Sequence, residues 1–391
     1  MSSKLALTCA AALASLFTVL APAASAQQPP KEKDNPFRPR HRELLYVALP
    51  GTLEAPAYRN GLGIVVLDVN NGYSFVKRIN VFDTPASISP EQISGVAANP
   101  QTNMFYMAAR GRLAAVDLAT DKVVWVNAYD GKCCERPQVT PDGRTIVVGG
   151  DLQDYWYVVD AKTGKLRGKI QAPESPNSHN LNLSPDGKLA FMSPNGPVLS
   201  IGDIATMKTI KTIRFGDNVR PFVVNHDGSL IYANTNNLLG FEVADVKTGK
   251  VIKHVEINAF PWREALAKKV YIPHGCPSHG IALVKSEKEV WIADGINNYI
   301  HIFDNTKQTP ELIDSIKTSL PPAWITISID GKYAYVSSGD VIDIQTRKVV
   351  AHLDDEYGHQ MRSEKLLDMT FDDGHLIQTD NQFGNGGQGR E

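Results

Sequence analysis

Residues 136–170 read RPQVTPDGRTIVVGGDLQDYWYVVDAKTGKLRGKI. An apolar run leads to Asp142-Gly143, and a second run follows. A third ends near Asp160, and after the Thr-Gly-Lys turn at 163–165 comes a fourth. Asp-Gly between alternating apolar runs is a strong hairpin signal, because both residues tolerate positive φ. The stretch therefore predicts four short antiparallel strands. The plan recurs as HNLNLSPDGKLAFMSPNGPVLSIGDIATMKTIKTI at 179–213 and RPFVVNHDGSLIYANTNNLLGFEVADVKTGKVIKHV at 220–255. It recurs again at 279–304 and 323–353, and at 94–126 with Pro-Gln-Thr-Asn in place of the Asp-Gly turn. Helical periodicity is confined to PWREALAKK at 261–269. Repeated four-stranded sheets of this length are the mark of a β-propeller.

A seventh unit is split between the two ends of the chain. ELLYVALPG and GLGIVVLDVNNG lack a first strand, and KLLDMTFDDGH near the C-terminus supplies one. Pairing the two removes the open edge that a ring must not leave exposed. The expectation is an all-β, single-domain, seven-bladed β-propeller over 43–391, with four-stranded blades closed by N- and C-terminal strands and an insertion at 258–275.

The repeats GKLAFMS, GSLIYAN and GKYAYVSSGDVIDIQTRKVV resemble the YVTN-type β-propeller repeat family, over nearly the whole chain after the leader. That wider set includes the small-subunit propeller of quinohaemoprotein amine dehydrogenase, the nitrous oxide reductase propeller and lactonase-type propellers. The resemblance implies a fold; propellers host many activities.

The first 26 residues carry Lys4, an apolar run and Ala24-Ser25-Ala26, the pattern of a cleaved secretory signal peptide. A polar, Pro-rich lead-in occupies 27–42. Periplasmic or secreted location follows as an expectation, and no later apolar run is long enough to span a bilayer. Net charge is −2 with no basic run, which argues against nucleic acid as a partner. Beyond the leader three cysteines remain, Cys133, Cys134 and Cys276, too few for a disulfide scaffold. Cys133 and Cys134 are adjacent and form a candidate vicinal disulfide.

Aligning the repeats on their turns gives each blade one equivalent position at the start of its innermost strand. These are Ser94, Glu135, His179, Arg220, His279, Ala323 and Leu366, with steps of 41, 44, 41, 59, 44 and 43 residues. The long step is the insertion, which delivers His274 to the same mouth of the channel. Arg136, Asn180 and Trp324 lie next to the ring, the three cysteines one to three residues upstream, and His359 in the loop before the last strand.

Several chemistries suit this set. His179 or His279 is a candidate acid–base, since imidazole titrates near neutral pH. Arg136 and Arg220 suit a carboxylate, and Trp324 offers a face for a sugar ring. Asn180, His274 and His359 complete a candidate ligand-binding rim. Cys276, His279 and His179 are candidate ligands for copper or zinc. No Cys-x-x-Cys-His haem attachment motif occurs, and a quinone cofactor (PQQ) is suggested only by the adjacent cysteines. Asp203 and Asp294 are weighed as calcium ligands against ordinary turn residues. The leading expectation is a propeller that binds a small anionic ligand or a protein partner. The alternatives are a lyase- or lactonase-type enzyme on an anionic carbohydrate or lactone, and a copper or zinc site in a redox-associated propeller.

Overall fold

Two kinds of turn, held by their own side chains, recur along the chain. Thr140, Ser184 and Ser328 donate to the carboxylates of Asp142, Asp186 and Asp330 at 2.6, 2.7 and 2.7 Å. The same carboxylates accept the N–H of Arg144, Lys188 and Lys332 at 3.0, 3.1 and 2.9 Å. Gly143, Gly187 and Gly331 take φ of 69°, 68° and 73°, while the aspartates before them stay at negative φ. Thr140, Ser184 and Ser328 pair with Thr145, Leu189 and Tyr333, so each loop holds four residues, the third a left-handed glycine. Both residues turn positive at Asp373-Gly374, with φ of 48° and 80°. At the second turn Asp160, Asp203, Asp245 and Asp343 accept the N–H of Thr163, Thr206, Thr248 and Thr346 at 2.9, 2.7, 2.6 and 2.7 Å. Asp203 is thus a turn cap rather than a calcium ligand. So is Asp294, which accepts from Ile296 and Asn297 N–H at 2.8 and 2.9 Å and lies 3.1 Å from His301 Nε2.

The computed structural model describes residues 40–50, 61–81, 93–109, 111–130, 133–150, 153–174, 177–268 and 273–383. The leader, most of the lead-in and residues 269–272 of the insertion lie outside the described residues. Six antiparallel sheets of four strands span 93–128, 135–171, 178–214, 219–256, 278–317 and 325–352, here blades 2 to 7. Blade 1 is the split unit. Leu366–Asp372 pairs antiparallel with His41–Pro50, with Leu44 opposite Met369, and the sheet continues through Leu62–Asp68 to Ser74–Ile79. The strand from His41 begins two residues inside the segment read as a lead-in.

Seven apolar clusters hold the ring, each between neighbouring sheets. Tyr46 and Met369 pack with Phe105 and Met107 between blades 1 and 2. The series continues round to Tyr335 and Val341 of blade 7, which pack with Leu45 and Val65 of blade 1. The last cluster is the evidence that the ring shuts. A buried aromatic in such a seam is worth about 3–5 kcal/mol against alanine. The expected all-β, seven-bladed propeller is the observed fold.

The closing blade carries one strand more than the repeat plan. His375–Thr379 pairs with Leu366–Asp372 on the side away from His41–Pro50. The chain then reaches both flanking blades. Gln382 accepts the N–H of Val96 in blade 2 at 3.0 Å, and its carbonyl accepts the indole N–H of Trp324 in blade 7. Phe383 packs edge-on to Trp324, centroids 5.9 Å apart. No helix among the described residues is long and apolar enough to cross a membrane.

Candidate functional site

The aligned positions do fall at the starts of the innermost strands, which run Ile93–Asn99, Glu135–Val139, Ser178–Leu183, Val219–Val224, Ser278–Leu283, Ile325–Ile327 and Leu366–Asp372. Contacts between neighbouring blades put these starts at one end. Ser94 donates to Cys134 O at 2.6 Å, Glu135 Oε2 lies 2.8 Å from His179 Nδ1, and His279 Nδ1 lies 2.9 Å from Ala323 O. Two glycines permit this crowding. A Cβ on Gly95 would sit 2.5 Å from Arg136 Cα, and one on Gly280 would sit 2.8 Å from Trp324 Cα.

The centre of the mouth is built on Glu364, which the repeat alignment overlooked. Its carboxylate meets His274 Nε2 from the insertion. It accepts from Arg136 of blade 3 at 3.1 Å and from the adjacent Lys365 at 3.2 Å. Arg136 is 2% exposed and held at a φ of 47°. Its guanidinium lies 4.1 Å over the ring of Trp324 in blade 7, a cation–π contact across the mouth. The channel is therefore narrow here. His274 stacks on His279 with centroids 3.9 Å apart and planes 12° from parallel. His274 itself sits at a φ of 58°, followed by Gly275 at 69°. That turn brings the insertion's imidazole against the inner strand of blade 6.

Charge and burial fix the protonation states. Burial works to raise the Glu364 carboxyl, but His274 and Lys365 beside it hold it well below the usual carboxylate range. Glu135 is likewise pulled down, against burial, by His179, Arg136 and Lys365. Burial lowers Lys365 despite Glu364 next to it. Burial and the neighbouring His274 push His279 well below the ordinary histidine value, so it is neutral. Because Nδ1–H donates to the Ala323 carbonyl, the lone pair is on Nε2, which is buried and has no partner.

The structure sorts the expected site residues. Arg136, His274, His279 and Trp324 converge. Trp324 offers no free face for a sugar, since Arg136 covers it and Phe383 packs on its edge. The carboxylate that Arg136 grips belongs to the chain itself. Its Nε and Nη1 nevertheless stay buried without partners. Asn180 is fully buried, and neither of its side-chain polar atoms has a partner. Arg220 donates from Nε to Asn236 Oδ1 at 2.5 Å.

His359 does not join the cluster. Its side chain is 67% exposed, and it pairs with Asp355, 3.5 Å away in its own turn. The metal set Cys276, His279 and His179 is not assembled. His179 is taken by Glu135, and burial pushes the Cys276 thiol up to about 12 despite the charge of Arg220. Cys276 is buried and free, and the sulfurs of Cys133 and Cys134 lie side by side. Among the described residues, the His/Cys/acidic group that does converge is His274, His279 and Glu364, whose ligand atoms all lie within 4.8 Å of one another.

Glu364 and Lys365 lie two and one residues before Leu366, the aligned position of blade 1. The cysteines sit at similar offsets in their blades. The signal was the offset itself, applied to one more blade.

Among solved structures, the chain is similar to hydrazine synthase of Kuenenia stuttgartiensis, at TM-score 0.55 and 16% identity over 74% of this chain and 88% of that one. It is also similar to a chain from a crystal structure of the mitotic checkpoint complex, at TM-score 0.59 and 12% identity over 75% of this chain and 83% of that one. At such identities the likeness is one of fold, and the class it defines is the seven-bladed β-propeller. No protein-family profile matches the sequence. No curated protein matches it either.

Proposed function

We propose that this is an exported propeller whose channel mouth binds a small anionic ligand, a carboxylate of organic-acid or uronic-acid size. One observation carries the reading: Arg136 is almost wholly buried, yet two of its guanidinium nitrogens have no acceptor. A buried donor left unmade costs about 1–3 kcal/mol, more when charged, and an anionic acceptor recovers it. The balance of charge agrees. Arg136, Lys365 and Arg220 oppose Glu135 and Glu364, three cations against two carboxylates, before any histidine is protonated. His274, 37% exposed, stands at the solvent side of the group.

The test is calorimetric titration of protein treated with EDTA, using acetate, citrate and galacturonate. At least one should bind, and Arg136→Lys should weaken it roughly 10–100-fold, since lysine keeps the charge but loses the planar fork. Absence of heat with every anion, or unchanged affinity in Arg136→Lys, refutes the reading and leaves a protein partner as the occupant. The neutral His279 with its bare Nε2 favours acid–base catalysis as a second reading. NMR of the recovered ligand separates the two, because a binding protein returns it unchanged.

A further inference from the structure

We propose that His274, His279 and Glu364 bind one divalent transition-metal ion of the zinc class at the channel mouth. The three come from separate stretches of chain: the insertion, the inner strand of blade 6 and the segment leading into the closing strand. Their ligand atoms lie within 4.8 Å of one another, and His274 Nε2 already meets Glu364 Oε1. Ligands on a single zinc at ~2.0–2.2 Å stand about 3.3 Å apart, so the ligand atoms are near coordination spacing, and the stacked imidazoles, 12° from parallel, tilt apart for both lone pairs to meet one ion.

A second observation points the same way. His279 is 2% exposed, and its Nε2 has no hydrogen-bond partner. Its other ring nitrogen donates to a backbone carbonyl, 2.9 Å from Ala323 O. That is how proteins orient a metal-bound imidazole and fix the tautomer that ligates. Glu364 is oriented in the same manner, its Oε2 accepting from Arg136 at 3.1 Å and Lys365 at 3.2 Å, which leaves Oε1 turned to the imidazoles. Two of the three ligands thus have their outer partners in place. Two imidazoles and a carboxylate suit zinc and leave a coordination position open to water or an anion. The nearby thiol of Cys276 is no part of this set.

The inference does not rest on the anion reading, and the two fail separately. The anion titration is done without metal. The metal titration is done with Zn²⁺ and Co²⁺ alone, in a buffer free of carboxylates. Full-length protein stripped with EDTA should take up one equivalent of Zn²⁺ by calorimetry. Co²⁺ should give visible absorption bands of a low-coordinate site. His274→Ala and Glu364→Gln should each weaken Zn²⁺ binding at least tenfold. Should Glu364→Gln fail to fold, His274→Ala still decides the matter, because that side chain is partly exposed. Uptake well below one equivalent by the wild type, or wild-type affinity in His274→Ala, overturns the proposal.

Discussion

The two ends of the propeller spend their polar residues differently. At the end formed by the Asp-Gly turns, three repeats satisfy their loops from within, and few bonds cross between blades, such as Asn99 to Thr140 O at 3.1 Å. Asp142, Asp186 and Asp330 all take a hydroxyl and an N–H from within their own loops. At the mouth the partners come from other blades: Arg136 with Glu364, Glu135 with His179, Trp324 with Gln382. Local needs are the same at Asp142, Asp186 and Asp330, so that turn recurs. Needs across the ring differ from blade to blade, so the mouth diverges. Where a repeat protein stops repeating is where its chemistry is to be sought.

The largest effect should come from breaking a partnership across the ring. Glu364→Ala leaves Arg136 and Lys365 buried without their carboxylate. Losing one partner of a buried pair costs about 3–5 kcal/mol, read as a lowered midpoint in urea. Gly95→Ala should cost about 1–3 kcal/mol, because the new Cβ meets the Arg136 backbone and Pro137 rather than a flexible side chain. It should also reduce anion binding, since Arg136 is displaced. At the turn end, Asp186→Ala removes one hydroxyl bond and one N–H bond in a single loop. About 0.5–1.5 kcal/mol should be lost, with anion and metal affinity unchanged. A loss as large as that of Glu364→Ala would erase the distinction between the ends.

The smallest effect concerns two carboxyls behind the mouth that have no cation beside them among the described residues. Burial raises Asp368 and Asp380 well above the ordinary value, with Glu43 adding to the first and Asp368 to the second. They hydrogen-bond the chain instead: Asp380 Oδ1 accepts from Asp368 N–H at 2.9 Å, and Asp368 Oδ2 from Ile329 N–H at 3.0 Å. The folded state holds these protons to higher pH than the unfolded chain does. Their contribution is therefore complete below the ordinary value of 3.8 and is lost as pH rises through the raised values. Asp380→Asn should flatten the fall in urea midpoint between pH 4 and 8. An unchanged slope would show that Asp380 ionises without penalty.

Much of this architecture was legible in the sequence, because a propeller is written in local patterns. Asp142-Gly143 and its counterparts set the register, and the register alone placed Arg136, His179 and His279 at one mouth. What stayed hidden was lateral. The spacing shows that Trp324 lies at the mouth, but not that Arg136 reaches over it from blade 3. His359 was assigned to the mouth by its place before the last strand, yet a tight turn through Asp355 keeps it at the surface. Glu364 was missed because its importance depends on which side chains arrive opposite it, a matter of angles around an axis.

The strand that shuts the ring and the carboxylate at its mouth lie on one short segment, Glu364 through Asp372. A copy clipped upstream of that segment forfeits both at once. It has a gap in its wall, with His41–Pro50 stripped of a neighbour, and no anchor for Arg136 or His274. Proteolytic damage at this end should therefore leave no half-working remnant that still captures ligand. Integrity of the barrier and competence of the site are inherited together.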